Sequence, residues 1–197
     1  MTLIHPDDYD LEAVRREWCG KLLAEARGRY PVEYDPIRRH CHMTGDLNPL
    51  FLDPAIAKEG PYGEVIVPPS MLPIYFASEG PWPPKPLEAA DPDRPMFTLG
   101  VPTPGDRGIN MEVEYEFLEP IRVGDQLHLQ LRIADIYQKA IKLDAHAVWI
   151  VSETAIFNQH DSVVAKWRNT VLVHRSPEQV RDDAARAEGA GTAETEQ

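Results

Sequence analysis

Strict alternation of apolar and polar residues in the second half of the chain is the feature that most constrains its fold. A period of two places successive side chains on opposite faces of a β-strand. Because turn residues separate the alternating segments, they predict an antiparallel meander with one buried face. The apolar members of the four segments are Met111, Val113, Tyr115 and Phe117; Leu127, Leu129, Leu131 and Ile133; Ile141, Leu143, Ala145, Ala147, Trp149 and Val151; and Val163, Ala165, Trp167 and Val171.

The first half of the chain has helical patterns instead. Residues 6–27 carry apolar side chains at helical spacing and predict one amphipathic helix that Gly28 ends. Tyr34 opens a second helix, and residues 69–78 predict a buried helix that is apolar nearly all round. Helices followed by antiparallel strands indicate an α+β fold in which the sheet curls round the buried helix. Unpaired sheet edges predict a dimer or a larger assembly.

The run from Thr44 to Asp53 lies between these helices and suits both a turn and a functional site. Asp46 offers a carboxylate, Asn48 an amide that can orient it, and Pro49 a fixed φ that holds the bend. Asp, Asn and Pro are also common turn formers. A capped turn leading into a helix is therefore the competing interpretation.

This run resembles the signature of the MaoC-like hydratase/dehydratase family, which reads Gly-Asp-x-Asn-Pro, an aliphatic residue and His. The matching residues are Gly45, Asp46, Asn48, Pro49 and Leu50. Further on, Val65 to Leu72 resembles the start of the helix that these proteins wrap in a sheet, and its Pro-Pro pair is similar to the FAS1-like dehydratase branch. The resemblance spans residues 10–175. It implies a single hot-dog fold, an antiparallel sheet wrapped round a long central helix.

The resemblance also implies an activity, the reversible addition of water to an α,β-unsaturated thioester of CoA or acyl carrier protein. It assigns proton transfer to Asp46, with Asn48 orienting it. The thioester oxygen would be held by the amide of Ser70, because the two residues before it are prolines without an N–H. No metal and no redox cofactor is implied. Phe51 stands where catalytically complete members carry His, and a phenyl ring cannot relay a proton.

That departure leaves several hypotheses open. A nearby histidine replaces the missing one, and His42 is included among the catalytic candidates with His40 as its neighbour. Otherwise Asp46 acts alone with a water, or the chain is a non-catalytic subunit that binds the acyl chain and pairs with a complete Asp/His hot-dog subunit. A homodimer is the other assembly that we expect. Acyl-CoA thioesterase activity is a weaker alternative, because hot-dog folds also host it.

Composition limits the partners and the compartment. The net charge of -12 disfavours nucleic acid and anionic membrane surfaces, which would repel the chain. No stretch approaches the apolar length that spans a bilayer, and the N-terminus lacks a basic and an apolar signal region. These features predict a cytoplasmic protein. Cys19 and Cys41 lack metal-ligand spacing and are interpreted as reduced thiols.

We divide the chain into three parts. Residues 1–30 are the N-terminal amphipathic helix, residues 31–176 the hot-dog domain, and residues 177–197 a helical stub leading into a disordered acidic tail. Prolines recur through residues 79–108 and predict a stiff, ordered flap. Only Met96 to Val101 in this flap has the composition of a short strand.

Overall fold

A computed structural model describes residues 4–78 and 96–194 of the chain. The strands are β1 Leu22–Arg27, β2 Arg107–Phe117, β3 His128–Gln138, β4 Val148–Phe157 and β5 Val163–His174. The helices are α1 Leu11–Trp18, α2 Tyr34–Thr44, α3 Pro49–Leu52, α4 Pro54–Glu59, α5 Ile74–Ala77 and α6 Pro177–Glu194, with 3-10 turns at Pro6–Asp8 and Met96–Thr98. None of the described helices is both long enough and apolar enough to cross a membrane.

The five strands form one antiparallel sheet in the order β1-β3-β4-β5-β2. The consecutive strands β3, β4 and β5 form a meander, as predicted. The prediction that β2 is the first strand of this meander is wrong, because β2 pairs with β5 and not with β3. The edges of the sheet are therefore β1 and β2. Along β4 every second residue is buried, which shows that the sheet has one interior face. The α+β class is therefore confirmed.

The predicted helix over residues 6–27 is wrong beyond Trp18. Gly20 has a φ of 81°, a left-handed conformation that ends the helical path, and its amide donates to the carbonyl of Ile133. Residues 22–27 then pair with β3 as an edge strand. Leu22 and Ala26 continue the helical spacing of Trp18, but Ala24 and Ala26, two residues apart, both lie on the interior face of this strand.

The buried helix predicted from residue 69 to 78 is a single turn, Ile74–Ala77. The amide of Met71 donates to the carbonyl of Pro68 in a turn, and Pro73 sits at the N-cap position. Proline has no backbone N–H to donate, so α5 does not continue towards the N-terminus through Pro73 or through the Pro68–Pro69 pair. Residues 79–95, which contain most of the predicted flap, lie outside the described residues.

Three further predictions need correction. Residues 96–101 form a 3-10 turn followed by Leu99 and Gly100 at positive φ, not a strand. The helix α6 continues to Glu194, where a disordered tail was expected. In β4 the interior residues are Val148, Ile150, Ser152, Thr154 and Ile156, the opposite parity from the predicted one. The last error arose because polar Ser152 and Thr154 interrupt the apolar face and because residues 141–147 are a turn segment.

Two hydrophobic clusters cover the interior face. The first joins α2, α4 and α5 to β3, β4 and β5, and includes the fully buried Ile37 and Val164. The second packs α1 and residues 97–101 against the other part of the same strands, around Ile133 and Val148. Residues that line a cavity of about 640 Å³ come from both clusters, so the cavity lies between them.

A buried ion pair fixes the turn before β4 to the end of β5. Asp144 is 1% exposed and Arg175 is 6% exposed. The Asp144 carboxylate accepts hydrogen bonds from the Arg175 guanidinium at 2.7 and 3.2 Å and from two backbone amides, those of Arg175 and His146. Burial alone would raise the pKa of Asp144, but these hydrogen bonds together hold it below its ordinary value. Arg175 also pairs with Asp183 of α6.

We expect Asp144→Asn to lower the free energy of unfolding by about 3–5 kcal/mol at neutral pH, because it leaves a buried guanidinium without its main counter-charge. The folded-state pKa of Asp144 is depressed, so its contribution is present above the unfolded pKa of about 3.9 and lost as the pH falls through the folded value. In urea unfolding, the difference between wild type and variant should therefore shrink below about pH 4.

The matched control is Asp35→Asn. Asp35 also pairs with arginines, Arg38 and Arg39, but on the exposed surface of α2. Its loss should change stability far less, because exposed ion pairs contribute little. Equal unfolding midpoints for Asp144→Asn and the wild type would contradict the role that we assign to the buried pair.

Candidate functional site

The Gly-Asp-x-Asn-Pro run begins where α2 ends. Gly45 caps this helix with a φ of 73°, and its amide donates to the carbonyl of Cys41. The amide of Asp46 donates to the same carbonyl at 3.0 Å. The chain therefore turns sharply away from the helix, and Asp46 is left half-buried directly beyond its last turn.

Asn48 holds Asp46 through the main chain and not through its side chain. The backbone amide of Asn48 donates to Asp46 Oδ1 at 3.2 Å, while the Asn48 side-chain oxygen accepts from the amide of Leu50 and caps α3. The capped-turn interpretation of this run is thus confirmed. In the described residues Asp46 Oδ2 accepts no hydrogen bond, and no Lys, Arg or His side chain lies within ion-pair distance of Asp46. One carboxylate oxygen is therefore free to accept a proton or a water.

His40 and Ser70 form the contact that brings α2 to the Pro-Pro turn. His40 Nε2 lies 3.1 Å from Ser70 Oγ, and the imidazole either donates or accepts depending on its tautomer. Ser70 lies in the turn that closes with the Met71 amide on the carbonyl of Pro68. Its own amide has no acceptor among the described residues, so it remains available to a ligand oxygen. It does not start a helix, however, since α5 begins at Ile74.

The other predicted residues fall in different surroundings. His42 is exposed two positions further along α2, and its ring has no hydrogen bond or ion pair within the described part of the chain. Phe51 is half-buried and packs against the first hydrophobic cluster. Its ring therefore fills core space at the position where the family signature has His. Of the two histidines near the run, the structure places His40 and not His42 against Ser70.

Cys41 has no features of a nucleophile. Its side chain is fully buried, and burial, with the Asp46 carboxylate as a second cause, raises the pKa of the thiol above its ordinary value. The thiol therefore stays protonated at neutral pH.

Exposed apolar side chains surround the site. Met43 is 82% exposed at the end of α2, and Leu47 lies next to Asp46. Leu72 and Tyr75 are exposed in the segment that follows Ser70. Large apolar groups at the surface beside polar ones are typical of binding sites. Two basic residues of α2, Arg38 and Arg39, pair with Asp35 and are therefore not free charges for a ligand phosphate.

Two cavities adjoin the Ser70 segment. A cavity of about 270 Å³ is lined by residues that include Pro68, Pro69 and Phe117. The cavity of about 640 Å³ between the two clusters is lined by Ile74 and Ser78 on one side and by all five strands on the other. Among the described residues, no group of three or more His, Cys, Asp or Glu side chains is arranged to hold a metal ion.

Sequence reasoning missed both the His40–Ser70 contact and the interior polar residues of β4. The contact joins residues thirty positions apart, and no local pattern marks such a pair. Ser152 and Thr154 lie on the interior face because of the register of β4. Their polar side chains break the apolar alternation from which this register would have been predicted.

Comparison with known proteins identifies the family. The family model described as FAS1-like, dehydratase domain region matches residues 18–167. The chain is 30% identical over 124 residues to a UPF0336 protein of Thermobifida fusca, which covers 63% of this chain and 73% of that protein. It is 26% identical over 167 residues to a Thermomonospora curvata protein named "Probable enoyl-CoA hydratase alpha subunit". That match covers 81% of this chain and 51% of the relative, so the chain spans about half of the relative's length.

Solved structures share the fold. A chain of the ChsH1-ChsH2 complex from Mycobacterium tuberculosis superposes with a TM-score of 0.62 at 21% identity, covering 83% of this chain and 90% of that one. A MaoC-like dehydratase from Rhodospirillum rubrum gives a TM-score of 0.50 at 19% identity, covering 78% and 92%. The chain therefore belongs to the FAS1-like dehydratase-region family and has the hot-dog fold of the MaoC-like proteins.

Proposed function

We propose that this chain catalyses, or helps to catalyse, the reversible addition of water to an α,β-unsaturated acyl thioester. The observation that carries the proposal is the arrangement at the end of α2, where the half-buried Asp46 has a free carboxylate oxygen and His40 contacts Ser70. Membership of a dehydratase-region family supports this reaction class. The name of the Thermomonospora curvata relative supports it as well.

Hydration needs a base for water, a proton for the α-carbon and a donor for the thioester oxygen. Asp46 takes a proton from water as the water oxygen bonds to the β-carbon. The negative charge that develops on the thioester oxygen meets the free amide of Ser70, and the α-carbon then receives a proton from His40 through the Ser70 hydroxyl. His40 thus takes the place of the absent histidine of the signature. After the product leaves, Asp46 releases its proton to solvent and His40 regains one. The exposed Leu47 and Leu72 pack round the acyl group.

Asp46→Asn should reduce kcat/KM for the hydration of a short and a bulky enoyl-CoA by about a hundredfold to ten-thousandfold, because the amide cannot accept the proton from water. Loss of absorbance of the conjugated thioester measures the rate. Asp53→Asn is the control, since Asp53 caps α4 by accepting from two backbone amides and Asn retains that capacity. Wild-type turnover in Asp46→Asn would place the chemistry elsewhere.

His40→Gln and His42→Gln make the same change two residues apart on α2. We expect His40→Gln to lower kcat by about a hundredfold, the lower bound of general acid–base help. His42→Gln should leave kcat unchanged, because its ring is exposed and has no partner in the described residues. Equal effects of the two variants would remove the role given to His40.

A second candidate function is that of a non-catalytic subunit that pairs with a complete Asp/His hot-dog chain. Phe51 favours it, because its ring packs in the core and supplies no proton. Edge strand β2 favours it too, since its eleven residues are all exposed and Val113, Tyr115 and Phe117 are among them. A long, exposed, partly apolar edge is suited to pairing with another chain. The ChsH1-ChsH2 complex is a precedent for such pairing among proteins of similar fold.

Val113→Lys should convert the assembled protein to smaller species in sedimentation velocity at micromolar concentration, because a charge on the apolar side of β2 opposes burial of this edge. Glu112→Lys introduces the same side chain one residue earlier, on the polar face of β2. This variant should leave the assembly intact. An assembly that survives Val113→Lys would mean that β2 is not the interface.

The hydration assay separates the two functions. Turnover by the purified chain that Asp46→Asn abolishes identifies an enzyme in its own right. An inactive but folded chain that becomes active with a second subunit, and whose activity Asp46→Asn leaves unchanged, identifies the non-catalytic subunit. Release of free CoA without hydration would instead identify a thioesterase.

A further inference from the structure

The side chain of Phe97 stands between two cavities. Phe97 and Gly108 line the 640 Å³ cavity between the hydrophobic clusters, and both residues also line a second cavity of about 520 Å³. We call this second cavity the outer hollow. Its lining is largely polar and includes Asp106, Arg107 and His174. The apolar cavity and the outer hollow therefore adjoin each other at Phe97.

The ring of Phe97 rests directly on the backbone of β2. A Cβ atom built on Gly108 would lie 2.3 Å from Phe97 Cδ2 and 2.6 Å from Phe97 Cγ, so no other residue type fits there without displacing the ring. Glycine within a strand often marks such a close approach. The ring thus fills the space between its own turn and the strand.

The turn that carries Phe97 is anchored in the core. Thr98 and Val101 follow it and are fully buried, and the amide of Val101 donates to the carbonyl of Thr98 at 3.0 Å. Leu99, which also lines the cavity, has a φ of 54°, a left-handed conformation that leucine rarely adopts. Such a conformation persists only where the surrounding structure holds it. Phe97 is therefore part of a fixed wall.

The Ser70 turn and Phe97 lie at opposite ends of β2. Phe97 rests on Gly108, the second residue of the strand. Phe117, the last residue, lines the 270 Å³ cavity together with Pro69, the neighbour of Ser70. A strand rises roughly 3.3 Å per residue and β2 contains one bulge, so its two ends lie on the order of 26 Å apart. A ligand that extends from the Ser70 turn to Phe97 therefore lies along the strands.

The 640 Å³ cavity lies on this path. Ile74 follows the Ser70 turn, packs against the first hydrophobic cluster and lines the cavity. Phe97 packs against the second cluster and lines the same cavity from the other side. Ligand pockets typically measure roughly 300 to 1,000 Å³ and are mostly apolar, as this one is. An acyl group that passes Ile74 therefore meets Phe97 at the far end.

We propose that Phe97 is a specificity-determining residue that ends the acyl cavity and so limits the length of the acyl group that binds. The identity of the ligand as an acyl thioester rests on the proposed function. Each methylene group that the cavity buries should strengthen binding by about fourfold. This gain should stop at the length at which the chain reaches the ring, because a packed wall resists further insertion.

The first experiment uses neutral probes that need no thioester chemistry. Calorimetry measures the affinity of the full-length chain for straight-chain alcohols from 1-pentanol to 1-dodecanol. For the wild type, we expect the affinity to rise with length and then to level off. In Phe97→Ala the rise should continue for roughly four more methylene groups, because loss of the ring leaves a space that joins the cavity to the outer hollow.

Leu99→Ala is the matched control, because Leu99 lines the 640 Å³ cavity on the same turn but does not line the outer hollow. Its affinities should level off at the wild-type length. Phe97→Leu keeps an apolar side chain, so it decides the question if Phe97→Ala does not fold, and its limit should also move to longer alcohols. The absence of binding by every alcohol, or the same limit in the wild type and in both Phe97 variants, overturns the proposal.

The second experiment tests whether the acyl group occupies this cavity. Calorimetry measures the affinities of saturated thioesters from butanoyl-CoA to tetradecanoyl-CoA, which cannot be hydrated. Phe97→Ala should extend the length limit for the thioesters as it does for the alcohols. A limit that moves for the alcohols alone overturns the inference, because the acyl group then lies elsewhere. Asp46→Asn should keep the wild-type limit, so a failure of the hydratase proposal remains distinguishable from a failure of this one.

Discussion

A sheet with a single buried face is the constraint on which the rest of this structure depends. Both hydrophobic clusters must share that face, and the cavity lies where they part. The opposite face carries polar and aromatic pairs, such as Glu153 with Arg168 and Tyr137 with Trp149. Short helices and turns cover the interior face, so loops connecting them carry both the Asp46 turn and the Ser70 turn. Position on these loops is what makes the two accessible to a ligand.

The Asp46 turn is at once a structural cap and a candidate site. Gly45 ends one helix, and the Asn48 side chain begins the next. These local hydrogen bonds fix the backbone of Asp46 without consuming its second oxygen. A fixed backbone holds a general base in place at no cost to its ability to accept a proton. The two interpretations of the run are therefore compatible.

Sequence periodicity and turn chemistry predicted those parts of the structure that depend only on neighbouring residues in the chain. The α+β class, the strands from residue 107 onward and the capped turn at Asn48 follow from periodicity and turn chemistry. Strand β1 could not be recognised, because Leu22 and Ala26 continue the helical spacing of Trp18 and only pairing with β3 makes the segment a strand. The register of β4 and the contact of His40 with Ser70 depend on tertiary packing, which overrides local preference.

The pairing of β1 has a consequence for how the chain is made. Leu22 pairs with Arg132, so more than a hundred residues separate this edge strand from the strand that it needs. During synthesis the N-terminal segment leaves the ribosome well before its partner exists, and loop-closure entropy opposes the pairing afterwards. Until β3 has been synthesised, only local helical structure can provide hydrogen-bond partners for the backbone of this segment. The first strand of the sheet to be synthesised is therefore separated from its partner by the longest stretch of chain.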